Sequence, residues 1–319
     1  MIAMRLPLRS LGTALAVALL AGCAVVPPAA APTPLPEPER PAAPAAPFRS
    51  EESLELERYY VRLQQRLLEE GRMRRDRDPA DAPFGPAELA RSFERVALFS
   101  EYERVEGRSV ARQNESRLHR WERPVRVELH FGPTVDAATR ADDTARIAAY
   151  LDRLERVTGH PIALVRDGGN FHVFVASLDE QRALGPAILA VEPALDRDTV
   201  REITSFDRSV YCAVYAVSES DRPSSYVTAI AFVRSEHPDL MREACYHEEI
   251  AQGLGLANDS PEARPSIFND DEEFSLLTRH DEALLRMLYD PRLRVGMSLM
   301  EARPIVRTLA VELVDGGAV

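Results

Sequence analysis

The spacing of apolar residues predicts helices at both ends of the chain and in its middle. From Ser50 to about Asp78 the sequence is highly charged, and its apolar residues recur at three- and four-residue steps, the spacing of one helix face. Asp136 to Thr158 has the same period, and Gly159 is a residue type that commonly ends a helix. Further helices are predicted over Pro86 to about Glu106, around Cys245 to Gln252, over Glu282 to Tyr289 and over Leu299 to Leu313.

Strands are predicted where the period of the apolar residues changes to two. Val125 to Phe131 alternates apolar and polar residues and ends at Gly132, as expected of a half-buried strand. Ala183 to Phe206 indicates helix mixed with irregular structure. The other predicted strands are Ile162 to Val165, Phe171 to Val175, Val210 to Val217 and Tyr226 to Val233. Helices and strands in this order predict a domain that contains both.

The beginning of the chain has the features of an exported lipoprotein. Arg5 and Arg9 precede an apolar run that is too short to span a bilayer, which is the order found in signal peptides. The run ends in Leu20-Ala21-Gly22-Cys23, which resembles the lipobox of bacterial lipoproteins. The resemblance implies cleavage before Cys23, a lipidated Cys23 thiol and an amino terminus acylated with a fatty acid such as palmitate. The alternative is an ordinary signal peptide or a noncleaved anchor.

These features divide the chain into four predicted segments. Residues 1–22 are the signal peptide, and residues 23–49 are the lipidated cysteine and an Ala/Pro-rich linker that acts as an extended tether. Residues 50–120 are an N-terminal helical extension, and residues 121–319 are the main domain with a C-terminal helix. Because Ala24 stands where an Asp would retain a lipoprotein at the inner membrane, we expect an outer-membrane anchor facing the periplasm.

Composition excludes several functional classes. The formal net charge is −12, and it becomes −14 without residues 1–22, which carry two arginines and no acid. Such an acidic chain is not expected to bind nucleic acid or to adhere to anionic lipid through protein charge. All 39 basic residues are Arg, which excludes a P-loop lysine, a Schiff-base lysine and a Ser-Lys catalytic pair.

The three cysteines have two predicted roles. Cys23 is assigned to the lipid, which leaves Cys212 and Cys245 in a chain predicted to enter an oxidising compartment. We predict a disulfide between Cys212 and Cys245; the alternative is two buried thiols.

The segment from Glu248 to Asp259 has the frame of a metallopeptidase zinc helix without its histidines. In zincins, two His residues four positions apart bind Zn²⁺, and the Glu that follows the first His activates the metal-bound water. Metzincins add a turn glycine and a third ligand, each three residues further on. Here the two ligand positions hold Glu248 and Gln252, the base position holds Glu249, the turn position holds Gly255, and the third ligand position holds Asn258 or Asp259.

The likeness to metzincins extends beyond this helix. Ser266 to Asp270 resembles the metzincin Met-turn, with Phe268 where that family has Met, and Leu277 to Asp290 resembles the closing helix of matrixin-type peptidases. The strand Val227 to Phe232 stands where those enzymes keep the edge strand that borders the substrate cleft. The resemblance implies a zincin-like, metzincin-like fold, which is an α+β fold with a mixed, twisted sheet.

Taken whole, the chain resembles an uncharacterised lipoprotein family known as domain of unknown function 2927, which has no established activity. The hallmarks of that family here are Trp121-Glu122-Arg123-Pro124, Thr158-Gly159, Asn170-Phe171, Cys245 with Glu248-Glu249, Asn258-Asp259, Ser266 to Asp270 and Gly296-Met297.

The substituted ligand set is not suited to zinc. Glu248, Gln252 and Asn258 or Asp259 offer only oxygen donors, whereas Zn²⁺ prefers imidazole and thiolate. We therefore expect no zinc and no other cofactor, with a weakly bound divalent cation as the alternative. Glu248 and Glu249 are neighbours on a helix, so their side chains are expected to diverge by about 100° and not to straddle one bond.

The histidines are not expected to bind metal. The register that begins with His247-Glu248 has Ala251 at the second ligand position, and the other histidines lack metal spacing. Asp270 to Glu273 could hold a divalent cation, but solvated loop acids are the commoner outcome.

The leading hypothesis is a catalytically inactive, metallopeptidase-like protein that is anchored in the cell envelope and acts by binding. The edge strand of the cleft would accept an extended peptide of an envelope protein or of the cell wall by strand addition. One alternative is an active peptidase-like hydrolase with Glu249 as general base and an atypical metal site. The other is a purely structural envelope lipoprotein.

Overall fold

The computed structural model describes residues 48–105, 108–269 and 271–316, and within residues 101–113 it defines the backbone alone. The predicted signal peptide, Cys23 and the tether lie outside the described residues. The helices are α1 Glu51–Glu69, α2 Pro86–Leu98, α3 Ala137–Thr158, α4 Leu178–Gln181, α5 Gly185–Val191, α6 Arg197–Ile203, α7 Asp239–Gly253, α8 Arg279–Tyr289 and α9 Leu299–Asp315. The strands are β1 Phe99–Val105, β2 Arg108–Glu115, β3 Arg120–Trp121, β4 Val125–Phe131, β5 Ile162–Val165, β6 Phe171–Ala176, β7 Cys212–Ser218 and β8 Ser225–Arg234.

A mostly parallel sheet forms the centre of the protein. Strands β5, β4, β6 and β8 are neighbours in this order, and each pair is parallel. β7 pairs antiparallel with β8, and the two-residue β3 pairs parallel with the start of β8. The expectation of a mixed sheet combined with helices is therefore confirmed. Helices alternate with the parallel strands along much of the chain, an order typical of α/β folds.

Apolar residues on alternate positions of the strands bury the two faces of the sheet in different cores. Val127, Val173 and Ala231 face the larger core, which α3, α7, α8 and α9 complete. Phe174 and Phe232 face a smaller core under α5 and α6. Helix α2 also belongs to the larger core, where Leu89 and Phe93 are fully buried. The sequence segment before Arg120 thus contributes directly to the packing of the domain.

Local signals fix α3 at both ends. The carboxylate of Asp136 accepts hydrogen bonds from the backbone N–H groups of Ala138 at 2.9 Å and Thr139 at 3.0 Å, which satisfies two donors of the first turn. At the other end, Gly159 adopts φ of 66°, a left-handed conformation that glycine reaches without steric cost. The predicted bounds of this helix are confirmed.

Two other predicted helices extend too far. The helix from Ser50 ends at Glu69 and not near Asp78, because Gly71 turns the chain with φ of 75° and the N–H of Arg72 bonds to the Leu67 carbonyl at 2.8 Å. The helix from Pro86 ends at Leu98 and not near Glu106. The chain continues there as β1, which pairs antiparallel with β2. Pairing with a later segment is not visible in the local spacing of residues.

The prediction of the edge strand is wrong. Val227 to Phe232 lies within β8, which has β6 as a neighbour on one side and β7 as a second partner. β7 lies at the edge, and β8 is its only partner strand within the described part of the chain. Both segments are apolar, and the sequence alone does not reveal which one has partner strands on both sides.

No helix in residues 48–105, 108–269 or 271–316 is long and apolar enough to cross a membrane.

Candidate functional site

Helix α7 packs across the edge strand β7. A disulfide and a close packing contact hold the two elements together. Cys245 in α7 forms a disulfide with Cys212 at the start of β7, with the two Cα atoms 5.9 Å apart, which confirms the predicted pair. Gly253 at the end of α7 packs so tightly that an added Cβ would lie 2.5 Å from the ring of Phe171 and 3.1 Å from Val214. The residues Glu248, Glu249 and Gln252 lie between these two contacts.

The two adjacent carboxylates approach one another and the disulfide. One oxygen of Glu248, one oxygen of Glu249 and the sulfur of Cys212 all lie within 4.8 Å of each other. The side chains therefore do not diverge at their ends as their neighbouring positions on the helix led us to expect. Because the Cys212 sulfur is in a disulfide, it has no thiolate to offer a metal. The cluster thus supplies two carboxylates, of which Glu249 is buried and Glu248 is half-buried.

The residues at the second and third ligand positions contact each other directly. The side-chain amide of Gln252 donates a hydrogen bond of 3.0 Å to the carboxylate of Asp259. Both side chains are half-buried. A metal ion bound to Gln252 and Asp259 would have to replace this hydrogen bond. In a metallopeptidase, the side chains at the corresponding positions are bridged by the ion.

Asn258 and Asp259 have different roles, which the sequence left open. Asn258 is fully buried, and its side chain donates to the Arg95 carbonyl of α2 at 2.8 Å. Its backbone N–H bonds to the Val96 carbonyl at 3.1 Å. Asn258 therefore attaches the loop after α7 to α2, while Asp259 is the residue that meets Gln252.

Gly255 forms the turn at the position predicted for it. Its φ is 129°, and an added Cβ would lie only 2.2 Å from the carbonyl oxygen of His119. Nearby side chains satisfy carbonyl groups that the end of α7 leaves without helical partners. Trp121 donates through Nε1 to the Gly253 carbonyl at 2.8 Å, and the Tyr289 hydroxyl donates to the Leu254 carbonyl at 3.0 Å.

The segment that resembles a Met-turn is held by one buried carboxylate. Asp281, at the first turn of α8, accepts hydrogen bonds from the Ser266 hydroxyl at 2.5 Å and from the Ile267 N–H at 3.2 Å. Phe268 is fully buried, and its carbonyl accepts from the N–H of Ser260 at 2.9 Å. Phe268 therefore lies under the loop that contains Asn258 and Asp259, within the larger core.

His247 does not belong to the carboxylate cluster. Its ring is buried and stacks on Tyr150, with the ring centroids 3.9 Å apart, and its Nδ1 accepts the N–H of Leu277 at 2.9 Å. Burial, together with the nearby positive charge of Arg153, lowers the pKa of His247 to about 3. His247 is thus a neutral packing residue that faces α3 and the segment before α8.

The sequence analysis missed a second cluster on the opposite face of the sheet. Glu128, His130 and His172 each offer one atom in a group that lies within 4.8 Å. Burial lowers the pKa of both His130 and His172, and the neighbouring Glu128 opposes this shift. The alternation of β4 places Glu128 and His130 on one face, but His172 lies on β6, 42 residues further along the chain than His130. Only the pairing of the strands brings the three together.

The described residues line cavities elsewhere on the protein, including two of different size. One of about 240 Å³ is lined by residues such as Arg49, Glu236 and Arg242, beyond the ends of the parallel strands. The other, of about 720 Å³, lies between α1 and the residues that include Arg208 and Arg234. Neither cavity is lined by Glu248, Glu249 or Gln252.

Comparison with protein families gives one result. A family model described as protein of unknown function (DUF2927) matches residues 86–308, which is more than half of the chain. The match includes α2 and reaches into α9, so it covers the whole central sheet and the α7 site. Searches of the curated proteins and of the solved structures return no match.

Proposed function

The chain belongs to the DUF2927 family of proteins of unknown function, and we propose that it binds extended peptides in the bacterial cell envelope. In this proposal the domain has a metzincin-like scaffold that no longer cleaves peptides. The chain is anchored through Cys23 in the outer membrane and faces the periplasm.

The hydrogen bond between Gln252 and Asp259 is the observation that carries the proposal. Two of the three side chains in the ligand positions of the zinc frame are joined at 3.0 Å and offer only oxygen or amide donors. The third, Glu248, lies beside a second carboxylate and a disulfide sulfur. This donor set disfavours Zn²⁺, and a cation bound to the two carboxylates would be of the Ca²⁺, Mg²⁺ or Mn²⁺ type and weakly held.

The edge strand β7 supports peptide binding. Its seven residues, Cys212–Ser218, include no charged residue and no proline. Charged residues and prolines usually protect an exposed strand edge from pairing with another chain. The strand is half-buried, and the disulfide and Gly253 hold it against α7. A peptide that pairs with β7 would gain backbone hydrogen bonds along the whole strand, the mode of recognition known as strand addition.

The lipid anchor is supported by the sequence before the domain. Arg5 and Arg9, the apolar run and Leu20-Ala21-Gly22-Cys23 have the order of a lipoprotein signal. The Ala/Pro-rich residues 24–47 would give the domain reach from the membrane surface. The acidic charge of −12 favours neither nucleic acid nor anionic lipid as a partner of the domain itself.

Peptide binding can be tested with two matched proline substitutions in β7. Ala213 lies opposite Phe232 and Ala216 lies opposite Ala229, and no bulge interrupts the register between them. Because successive N–H groups of a strand point to opposite edges, one of these alanines donates toward β8 and the other toward the outer edge. Ala213→Pro and Ala216→Pro therefore each remove one backbone N–H at an alanine. One of these N–H groups points toward β8 and the other toward the outer edge.

The probe is a fluorescent library of unstructured octapeptides with β-branched residues at alternate positions. We expect the purified protein to bind members of this library. The proline variant that removes the outward N–H should keep its unfolding midpoint and lose peptide binding, whereas the other should lose stability. The proposal would be contradicted if the well-folded proline variant bound the peptides as tightly as the wild type, or if the wild type bound none of them.

An active hydrolase with Glu249 as general base is the second candidate. It is favoured by the buried position of Glu249 next to Glu248, because two neighbouring carboxyl groups can act as acid and base in hydrolysis. The same library, labelled to report cleavage, tests it with Glu249→Gln. Glu243→Gln is the control because Glu243 lies on the same helix and pairs with Arg146 outside the site. Cleavage that disappears only with Glu249→Gln would replace the binding proposal by a catalytic one.

A further inference from the structure

Glu128, His130 and His172 come together on the face of the sheet opposite α7. Glu128 and His130 are two residues apart on β4 and therefore project from the same face. His172 on β6 is the registered partner of Glu128 in the parallel pair. Their neighbours in the alternation, Val127 and Val173, point into the larger core with α7. The cluster is thus separated from the Glu248 site by the full thickness of the sheet.

The ligand atoms already lie close to the spacing that one ion needs. Nε2 of His130 is 3.0 Å from Nδ1 of His172 and 3.8 Å from Oε1 of Glu128. Two imidazole nitrogens on a tetrahedral zinc ion, at bond lengths of about 2.0–2.1 Å, would be roughly 3.3 Å apart. The two imidazole nitrogens would have to separate by only about 0.3 Å, and the Glu128 oxygen, which lies within 4.8 Å of both, would have to approach them to admit the ion.

Groups around the cluster hold the side chains of Glu128 and His130 in place. The second oxygen of Glu128 accepts the N–H of Gly169 at 2.8 Å. A Cβ on Gly169 would lie 2.5 Å from the Cβ of Glu128, so only glycine allows this approach. The ring of His130 stacks on Phe174 at 4.5 Å, with 17° between the planes. Outer contacts of this kind orient the ligands in metal sites and are needed for affinity.

We propose that Glu128, His130 and His172 bind one divalent metal ion of the zinc class. Two imidazoles and one carboxylate are the donor types that Zn²⁺ and its neighbours in the first transition row prefer over Ca²⁺ and Mg²⁺. The side chains of Glu128 and His130 are 18% and 27% exposed, so an ion can enter and keep a water in its fourth position. Three protein ligands with one open position is the arrangement of catalytic zinc sites, whereas structural sites use four.

The competing explanation is a simple hydrogen bond between the two imidazoles. At 3.0 Å one ring nitrogen can donate to the other, with no metal involved. This explanation assigns no part to Glu128 in the contact, whereas a metal site needs all three side chains. Only the metal site predicts that zinc binds here and that Glu128→Gln weakens this binding.

Calorimetric titration of the full chain with Zn²⁺ tests the proposal. We expect one site, weakened at least tenfold by His130→Ala and by Glu128→Gln. His160→Ala is the control, because His160 contacts the Arg123 carbonyl and Tyr289 and lies outside the cluster. Glu248→Gln with Glu249→Gln should leave the site intact, which separates this proposal from any ion at the α7 carboxylates. Zinc binding that is absent, or unchanged by His130→Ala and Glu128→Gln, would overturn it.

A second measurement needs no variant and so does not depend on the folding of His130→Ala. Co²⁺ added to the wild-type protein should give the intense visible absorption of a four-coordinate ion with nitrogen ligands, and Zn²⁺ should displace it. The weak absorption of hydrated, six-coordinate Co²⁺ at equal metal and protein concentrations would overturn the proposal.

Discussion

The side-chain amide of Gln252 donates to the carboxylate of Asp259 at 3.0 Å, which joins the last full turn of α7 to the loop that follows Gly255. In the metzincin-like scaffold that we propose, these two residues stand where a metal would be held. The hydrogen bond connects the helix to the loop, as a bound metal ion would. In the proposed function, the frame of a metal site is thus retained as a structural contact between the helix and the loop.

Gly255 is predicted to tolerate substitution least among the glycines where α7 meets the following loop. Gly255→Ala places a methyl group 2.2 Å from the His119 carbonyl in a backbone with φ of 129°. We expect a loss of about 3–5 kcal/mol in the free energy of unfolding, from backbone strain and overpacking together. Urea denaturation measures this loss.

Gly71→Ala is the matched control for Gly255→Ala. Gly71 also has a positive φ, of 75°, but an added Cβ would meet nothing within 4 Å. The control should lose only about 1–2 kcal/mol, the cost of the left-handed backbone alone. Equal losses for the two variants would contradict the close approach of Gly255 to His119.

The disulfide between Cys212 and Cys245 is predicted to stabilise the domain by about 3–4 kcal/mol, because it closes a loop of 33 residues in the unfolded chain. Replacing both cysteines by Ala should lower the urea midpoint by the corresponding amount. Reductant should lower the midpoint of the wild type in the same way and leave that of the double variant unchanged. A midpoint of the wild type that does not respond to reductant would contradict the bond.

His247 is predicted to make the stability depend on pH in weakly acidic solution. Its pKa is lowered to about 3 in the folded protein, whereas the unfolded chain takes up a proton near pH 6.5. Because the unfolded state binds the additional proton, the free energy of unfolding should fall as the pH decreases from 6.5 toward 3. The contribution of His247 is about 1.4 kcal/mol per pH unit.

The variant His247→Gln tests this dependence, since its side-chain oxygen can still accept the N–H of Leu277. Urea denaturation at pH 6.5, 5.5 and 5.0 should give a shallower slope for this variant, by about 1 kcal/mol per unit near pH 6 and approaching about 1.4 kcal/mol per unit below pH 5.5. Part of the slope will remain, because burial also lowers the pKa of His237 well below its ordinary value. An unchanged slope would show that the ring of His247 takes up its proton in the folded state.

Features that depend on nearby residues could be predicted from the sequence. Asp136 and Gly159 define the ends of α3 by local hydrogen bonds and backbone conformation, and both were identified in advance. The turn at Gly255 and the pairing of Cys212 with Cys245 were also anticipated. In each case the residue type itself restricts the structure, through backbone freedom, capping or covalent chemistry.

Features that depend on pairing between distant segments could not be predicted. Phe99 begins a strand and does not continue α2 because residues of β2 lie beside it. The choice of β7 over β8 as the edge strand depends on which of two apolar segments meets β6. His172 joins Glu128 and His130 only through the register of β4 and β6. The convergence of Glu248 and Glu249 likewise depends on packing against Cys212, which lies on another element.

The central claim of the proposed function is that α7 and the following loop have a metzincin-like scaffold in which Glu248, Gln252 and Asp259 stand at the positions of zinc-binding nitrogen ligands. The most direct test restores the nitrogen donors in one variant with Glu248→His, Gln252→His and Asp259→His. Zinc content after dialysis, measured by atomic emission, should rise by one equivalent over that of the wild type. The increase should persist when His130→Ala is added. A triple variant that folds but retains no more zinc than the wild type would contradict the claim.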